Sequence, residues 1–97
     1  MKQYRQGDVL IIEIDKVKGK KLDHLTLAKG EVTGHSHKIT EGNAELYEEN
    51  GALYLSVKDE TAKLTHEEHK EIVLPKGDYE IKIQREYSPE GWHRVVD

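Results

Sequence analysis

The chain has 97 residues and a formal net charge of −4, from 15 Lys and Arg against 19 Asp and Glu. That length fits one domain, and the acidic balance excludes the basic face that nucleic-acid or anionic-lipid binding requires. Cysteine is absent, which removes disulfides, thiolate–zinc sites and a Cys nucleophile; the core draws on 23 Leu, Ile and Val with no Phe, so a metal held by some of the six histidines is the staple that remains.

The amino end, Met1 to Asp8, is polar, and the apolar run Val9 to Ile12 is only four residues long. Neither a targeting signal nor a membrane span is expected, and a soluble cytoplasmic protein is. Val9 to Ile14 is β-branched and apolar, which predicts a strand covered on both faces. Lys16 to Lys21 carries four basic residues and reads as a solvated loop. Leu25 to Leu27 begins a strand that Gly30 interrupts, and Val32 to Ile39 forms another with Gly34 at a bulge.

Asn50-Gly51 predicts a two-residue hairpin loop, because both central positions of a type I′ turn need φ > 0. Such a loop pairs Glu49 with Ala52, Tyr47 with Tyr54 and Leu46 with Leu55, and it puts Leu46, Leu53, Leu55 and Val57 on one face. Lys58 to Lys70 is ambiguous, since Thr65-His66-Glu67-Glu68 has the spacing of a capping box that starts a helical turn. Ile72 to Leu74, a turn at Pro75-Lys76-Gly77-Asp78 and a strand from Tyr79 to Tyr87 follow, with Tyr79, Ile81 and Ile83 facing inward. The same alternation puts Arg85 and Tyr87 on the inner side, where Arg85 closes an ion pair or binds an anionic ligand, and Trp92 anchors the tail. About seven or eight short strands at close spacing predict an all-β fold, a small single-domain barrel or sandwich over residues 1–97.

Four histidines fall in two tight pairs. On a strand, His35 and His37 project to one side together with Ile39, which marks that side as interior. His66 and His69 share a face only if the chain turns between them; on an extended strand His69, nearer to Ile72, is the better placed of the two. His35, His37 and His69 are therefore the first-choice ligands, with His66 or Glu41 as a fourth, and Glu67 or Glu68 as acceptors behind a ligand imidazole. Imidazole donors suit one divalent transition metal, Zn, Ni, Fe or Cu, without choosing among them. His24 and His93 stand alone and read as surface residues.

The run Gly30 to Glu41, with His35-Ser36-His37 and the following glutamate, resembles the first motif of the cupins, and Pro75-Lys76-Gly77 resembles the turn of their second motif. In cupins a third histidine follows that turn; here His66 and His69 precede it. The whole chain also resembles a group of small uncharacterised prokaryotic β-proteins that share Arg5-Gln6-Gly7-Asp8-Val9-Leu10, the two histidine pairs, Leu74-Pro75-Lys76-Gly77 and Gln84-Arg85-Glu86-Tyr87. These resemblances imply a cupin-like outline and a histidine-held metal. The expected function is metal binding, with the metal acting as Lewis acid on a small oxygen-bearing substrate if a coordination position stays open. The alternative is a non-catalytic module that binds a protein partner and has a structural metal or none. Four protein ligands mark the structural case, and three plus water the catalytic one.

Overall fold

The computed structural model describes residues 2–29, 35–83, 85–88 and 91–94, with side chains for 2–28 and 35–83. Every regular element among them is a strand: β1 (Gln3–Gln6), β2 (Val9–Ile14), β3 (Lys20–Lys21), β4 (Thr26–Lys29), β5 (Ser36–Glu41), β6 (Ala44–Glu49), β7 (Ala52–Thr65), β8 (Ile72–Ile83), β9 (Arg85–Ser88) and β10 (Gly91–Arg94).

Local chemistry accounts for the hairpins. Asn50 (φ 51°) and Gly51 (φ 83°) form the loop between β6 and β7, and the register pairs Glu49 with Ala52, Tyr47 with Tyr54 and Leu46 with Leu55. Leu46, Leu55 and Val57 are buried and Leu53 packs against them. Gly7, at φ 60°, opens a second two-residue loop, since Gln6 pairs with Val9 across it; a Gly in that first position is what a II′ hairpin needs. Along β2, Val9 and Ile11 are fully buried while Leu10, Ile12 and Ile14 on the other face are only half-buried.

The expectation of a barrel or sandwich with a cupin-like outline is corrected. Eight strands form one sheet in the order β1-β2-β8-β7-β5-β4, with β6 on β7 and β3 on β6. β1 and β4 are its two ends, and among the described residues no ladder joins them, so the sheet is not closed into a barrel as a cupin's is. Nor, among the residues whose side chains are described, do two sheets share the core: every buried apolar residue of the cluster lies on a strand of this one sheet. The sheet therefore curls over its own inner face.

The reason lies in β7 and β8. Pro75-Lys76-Gly77-Asp78 is no turn, and β8 runs straight through it for 12 residues. Opposite, the ladder shifts between Val57–Gly77 and Thr61–Pro75, so residues 58–60 of β7 face a single residue of β8. The extra backbone is satisfied locally: Lys58 N–H and Asp59 N–H donate to the Asn43 carbonyl at 2.8 and 3.3 Å, and Asn43 N–H donates to Asp59 Oδ2 at 2.8 Å. Tyr79 Oη donates to the Pro75 carbonyl at 2.6 Å across the same bend. At this bulge β7 changes neighbours, from β6 along its first half to β5 along its second. One long strand, Ile72–Ile83, replaces the two short ones that a turn at Pro75 implies.

The Gly30 and Gly34 interruptions fall on residues 30–34, outside the described residues. So do the side chains of Arg85, Tyr87, Trp92 and His93; their backbones belong to the β9–β10 pair, with Trp92 opposite Tyr87.

Candidate metal centre

β5 and the second half of β7 are paired, Ile39 to Leu64 and Lys38 to Thr65. This places His37 of β5 beside the point where β7 stops and the connection to β8 begins. That connection bends through 67–69 without a helical turn. The capping arrangement is replaced by another: Thr65 Oγ1 faces the Lys38 carbonyl at 3.5 Å, and Glu68 N–H donates to His66 Nδ1 at 3.0 Å. The bend still brings His66 and His69 together, with ring centroids 4.5 Å apart. The His37 ring lies 4.3 Å from that of His66 and 5.7 Å, stacked, from that of His69. His37, His66 and His69 each offer a ligand atom, and these lie within 4.8 Å of one another, a tri-histidine cluster able to chelate one divalent metal.

The cluster has a built support. His37 is 1% exposed and Gln6 2%. Gln6 Nε2 donates to two carbonyls, of Leu64 and Lys70, each at 2.9 Å. Those two bonds fix the amide's orientation, so Gln6 Oε1 is the atom 2.9 Å from His37 Nδ1, and Nδ1–H must donate to it. A partner of this kind behind the ring is how a metal-binding imidazole is oriented. Asp8, 2% exposed, stands on the other side of the ring, its Oδ1 3.5 Å from His37 Nε2. The tight Gly7-Asp8 loop thus delivers both Gln6 and Asp8 to His37 from the far edge of the curled sheet.

His66 differs. Its Nδ1 accepts the Glu68 N–H, so the ring carries its proton on Nε2. Metal binding there breaks that hydrogen bond: either Nδ1 becomes the ligand, or Nε2 does and the proton moves to Nδ1. Burial lowers the His66 pKa below its ordinary value, repulsion from His69 and His35 adds to this, and Glu67 and Glu68 oppose it. The neutral ring that results is the form a metal needs.

The other expected residues are placed as follows. His35 is partly exposed and 3.6 Å from Glu68 Oε2, its ring edge-on to His66 at 5.6 Å; it borders the cluster without entering it. Glu41 is turned to the surface, 2.8 Å from Lys63 Nζ. Glu67 accepts the Ser36 N–H at 2.9 Å, which lowers its pKa and ties the bend to the start of β5. His24 is exposed and accepts the Thr26 N–H at 3.3 Å. Sequence reasoning missed Gln6 and Asp8. Their one signal is a polar pair about a hairpin glycine just before a buried strand.

A curled open β-sheet with a tri-histidine cluster is the class that fold and site define. The chain belongs to the family described as a domain of unknown function, DUF8820, whose profile matches residues 5–84. No curated protein and no solved structure matches it. No helix among the described residues is long and apolar enough to cross a membrane.

Proposed function

We propose that the protein binds one divalent transition metal through His37, His66 and His69. The observation that carries this is the buried Gln6 amide, which is spent on orienting His37 while the two other imidazoles converge beside it. A histidine buried only for packing has no need of two imidazole neighbours. Imidazole nitrogens suit Zn, Ni, Fe and Cu. Because the ligands come from β5 and from the β7–β8 connection, the metal joins segments that the chain brings together only on folding, so binding energy adds to folding energy.

The test is elemental analysis of protein purified without an immobilised-metal column, followed by calorimetric titration of the chelated protein. The expected result is one site per chain, weakened about tenfold or more by His37→Ala, His66→Ala or His69→Ala. No metal in the purified protein and no heat on titration would overturn the reading.

A further inference from the structure

We infer, building on the tri-histidine reading, that the bend at residues 66–69 is a latch that the metal opens: coordination by His66 displaces the Glu68 backbone N–H, so the domain answers metal with a change of shape at its surface. The metal then regulates the form of the bend as well as holding segments together.

The latch is a single hydrogen bond. The Glu68 N–H donates to His66 Nδ1 at 3.0 Å. A neutral imidazole has one unprotonated nitrogen, and a metal must use that nitrogen or move the proton to free the other. An ion on Nδ1 sits about 2.0–2.1 Å away along the same lone pair. The Glu68 nitrogen, 3.0 Å from Nδ1 in that direction, would stand about 1 Å from the ion, far inside any contact. An ion on Nε2 instead sends the proton to Nδ1, and two N–H donors then face each other across 3.0 Å with no acceptor between them. On either nitrogen, this hydrogen bond and the metal exclude each other.

The rearrangement is confined to the bend. Gln6 Nε2 donates to the carbonyls of Leu64 and Lys70, each at 2.9 Å, and Leu64 pairs with Ile72, so both feet are fixed. Residues 66–69 lie between them, outside any strand, and a displaced Glu68 is accommodated there. Two further contacts brace the latched form: Glu67 Oε1 accepts the Ser36 N–H at 2.9 Å, and Glu68 Oε2 lies 3.6 Å from His35 Nδ1. Glu67 and Glu68 are both exposed, so opening the latch rearranges acidic side chains that solvent and other molecules meet. Any contact made only by the latched form lowers the apparent affinity for metal, since a ligand shifts a conformational equilibrium only at the cost of what the other state holds.

Zinc(II) and the isotope-labelled full chain are the test, read by NMR and calorimetry. In the chelated protein a scalar coupling across the N–H···N bond should join the Glu68 amide nitrogen to His66 Nδ1, and saturating zinc should abolish it. Glu68→Pro removes the donor while Glu67 still braces the bend, and it should bind zinc about 2–10-fold more tightly than wild type, the net worth of one hydrogen bond. A coupling absent from the chelated protein, or a folded Glu68→Pro that binds zinc no more tightly, overturns the latch. The tri-histidine site stands in that case, provided that His66→Ala weakens zinc binding. A coupling that survives zinc saturation takes His66 out of the ligand set and overturns both, as does a wild type that takes up no zinc. Circular dichroism establishes that Glu68→Pro is folded; if it is not, the wild-type coupling decides.

Discussion

Gln6 determines what His37 can do. Its amide donates to the Leu64 and Lys70 carbonyls and accepts the hydrogen bond of His37 Nδ1–H, so replacing it removes three hydrogen bonds at once. Gln6→Leu is expected to cost about 1–3 kcal/mol of stability and to weaken metal binding by about 10–100-fold. Urea unfolding of the metal-free protein reads the first effect and calorimetry the second; unaltered affinity would show that the amide does not orient a ligand. His35→Ala should weaken binding far less than His37→Ala, because His35 meets Glu68 at the rim. Equal losses from the two variants would put His35 among the ligands. The histidine pairs were legible because spacing on a strand or bend fixes which rings run together. Gln6 and Asp8 were not. Their contact with His37 arises from the curl of the sheet, and two polar residues beside a glycine carry no periodicity that points to it.

Glycine and proline mark opposite things in the two halves of the sheet. Asn50-Gly51 sits between alternating strands and makes the hairpin its chemistry predicts. Pro75-Lys76-Gly77 has similar punctuation but lies within a single strand, because a bulge in β7 absorbs the irregularity and Gly77 takes φ 150°. Local sequence does not reveal a bulge in a partner strand about fifteen residues away, which is why β8 read as two strands. The bend is testable at two positions. Gly42 has φ +92°, and a Cβ there would stand 2.5 Å from the Thr61 carbonyl oxygen. Gly42→Ala should therefore cost on the order of 1–3 kcal/mol in a denaturant melt, and an unchanged melt would remove Gly42 from the turn's requirements. Tyr79 is 1% exposed, and burial pushes its phenol up to about 12. A folded pKa raised above the ordinary 10 stabilises the fold fully below pH 10, and that contribution is lost as pH rises toward 12. Absorbance titration should show one tyrosine ionising last, coincident with unfolding, and Tyr79→Phe should remove that late step. Five tyrosines titrating together near 10 would contradict it.

At the scale of the whole molecule, the all-β class could be read from strand spacing, but the closure of the sheet could not, since it depends on which distant strands pair. The result is an open curl whose buried apolar cluster draws on one sheet. Such a domain of 97 residues has a small core and marginal stability, so a ligand that binds only the folded state weighs heavily. At a metal concentration a hundredfold above Kd the gain is about 2.7 kcal/mol. For a domain of this size each kcal/mol moves Tm by about 4–8 °C, so chelation should lower Tm on the order of 10–20 °C. Acid should act in the same direction, because protonated imidazole cannot hold metal. His66 adds to the trend without metal: its folded pKa lies below the ordinary 6.5, so the unfolded chain takes up the proton first and stability falls as pH drops from 6.5 toward the lowered value. Calorimetric scans at pH 7.5 and 5.5, each with and without chelator, separate the two effects, with a large chelator shift expected at the higher pH and a small one at the lower. Superimposable scans at pH 7.5, from protein shown to contain metal, would mean that the ion sits where folding does not need it, and the coupling of metal binding to folding would have no energetic basis.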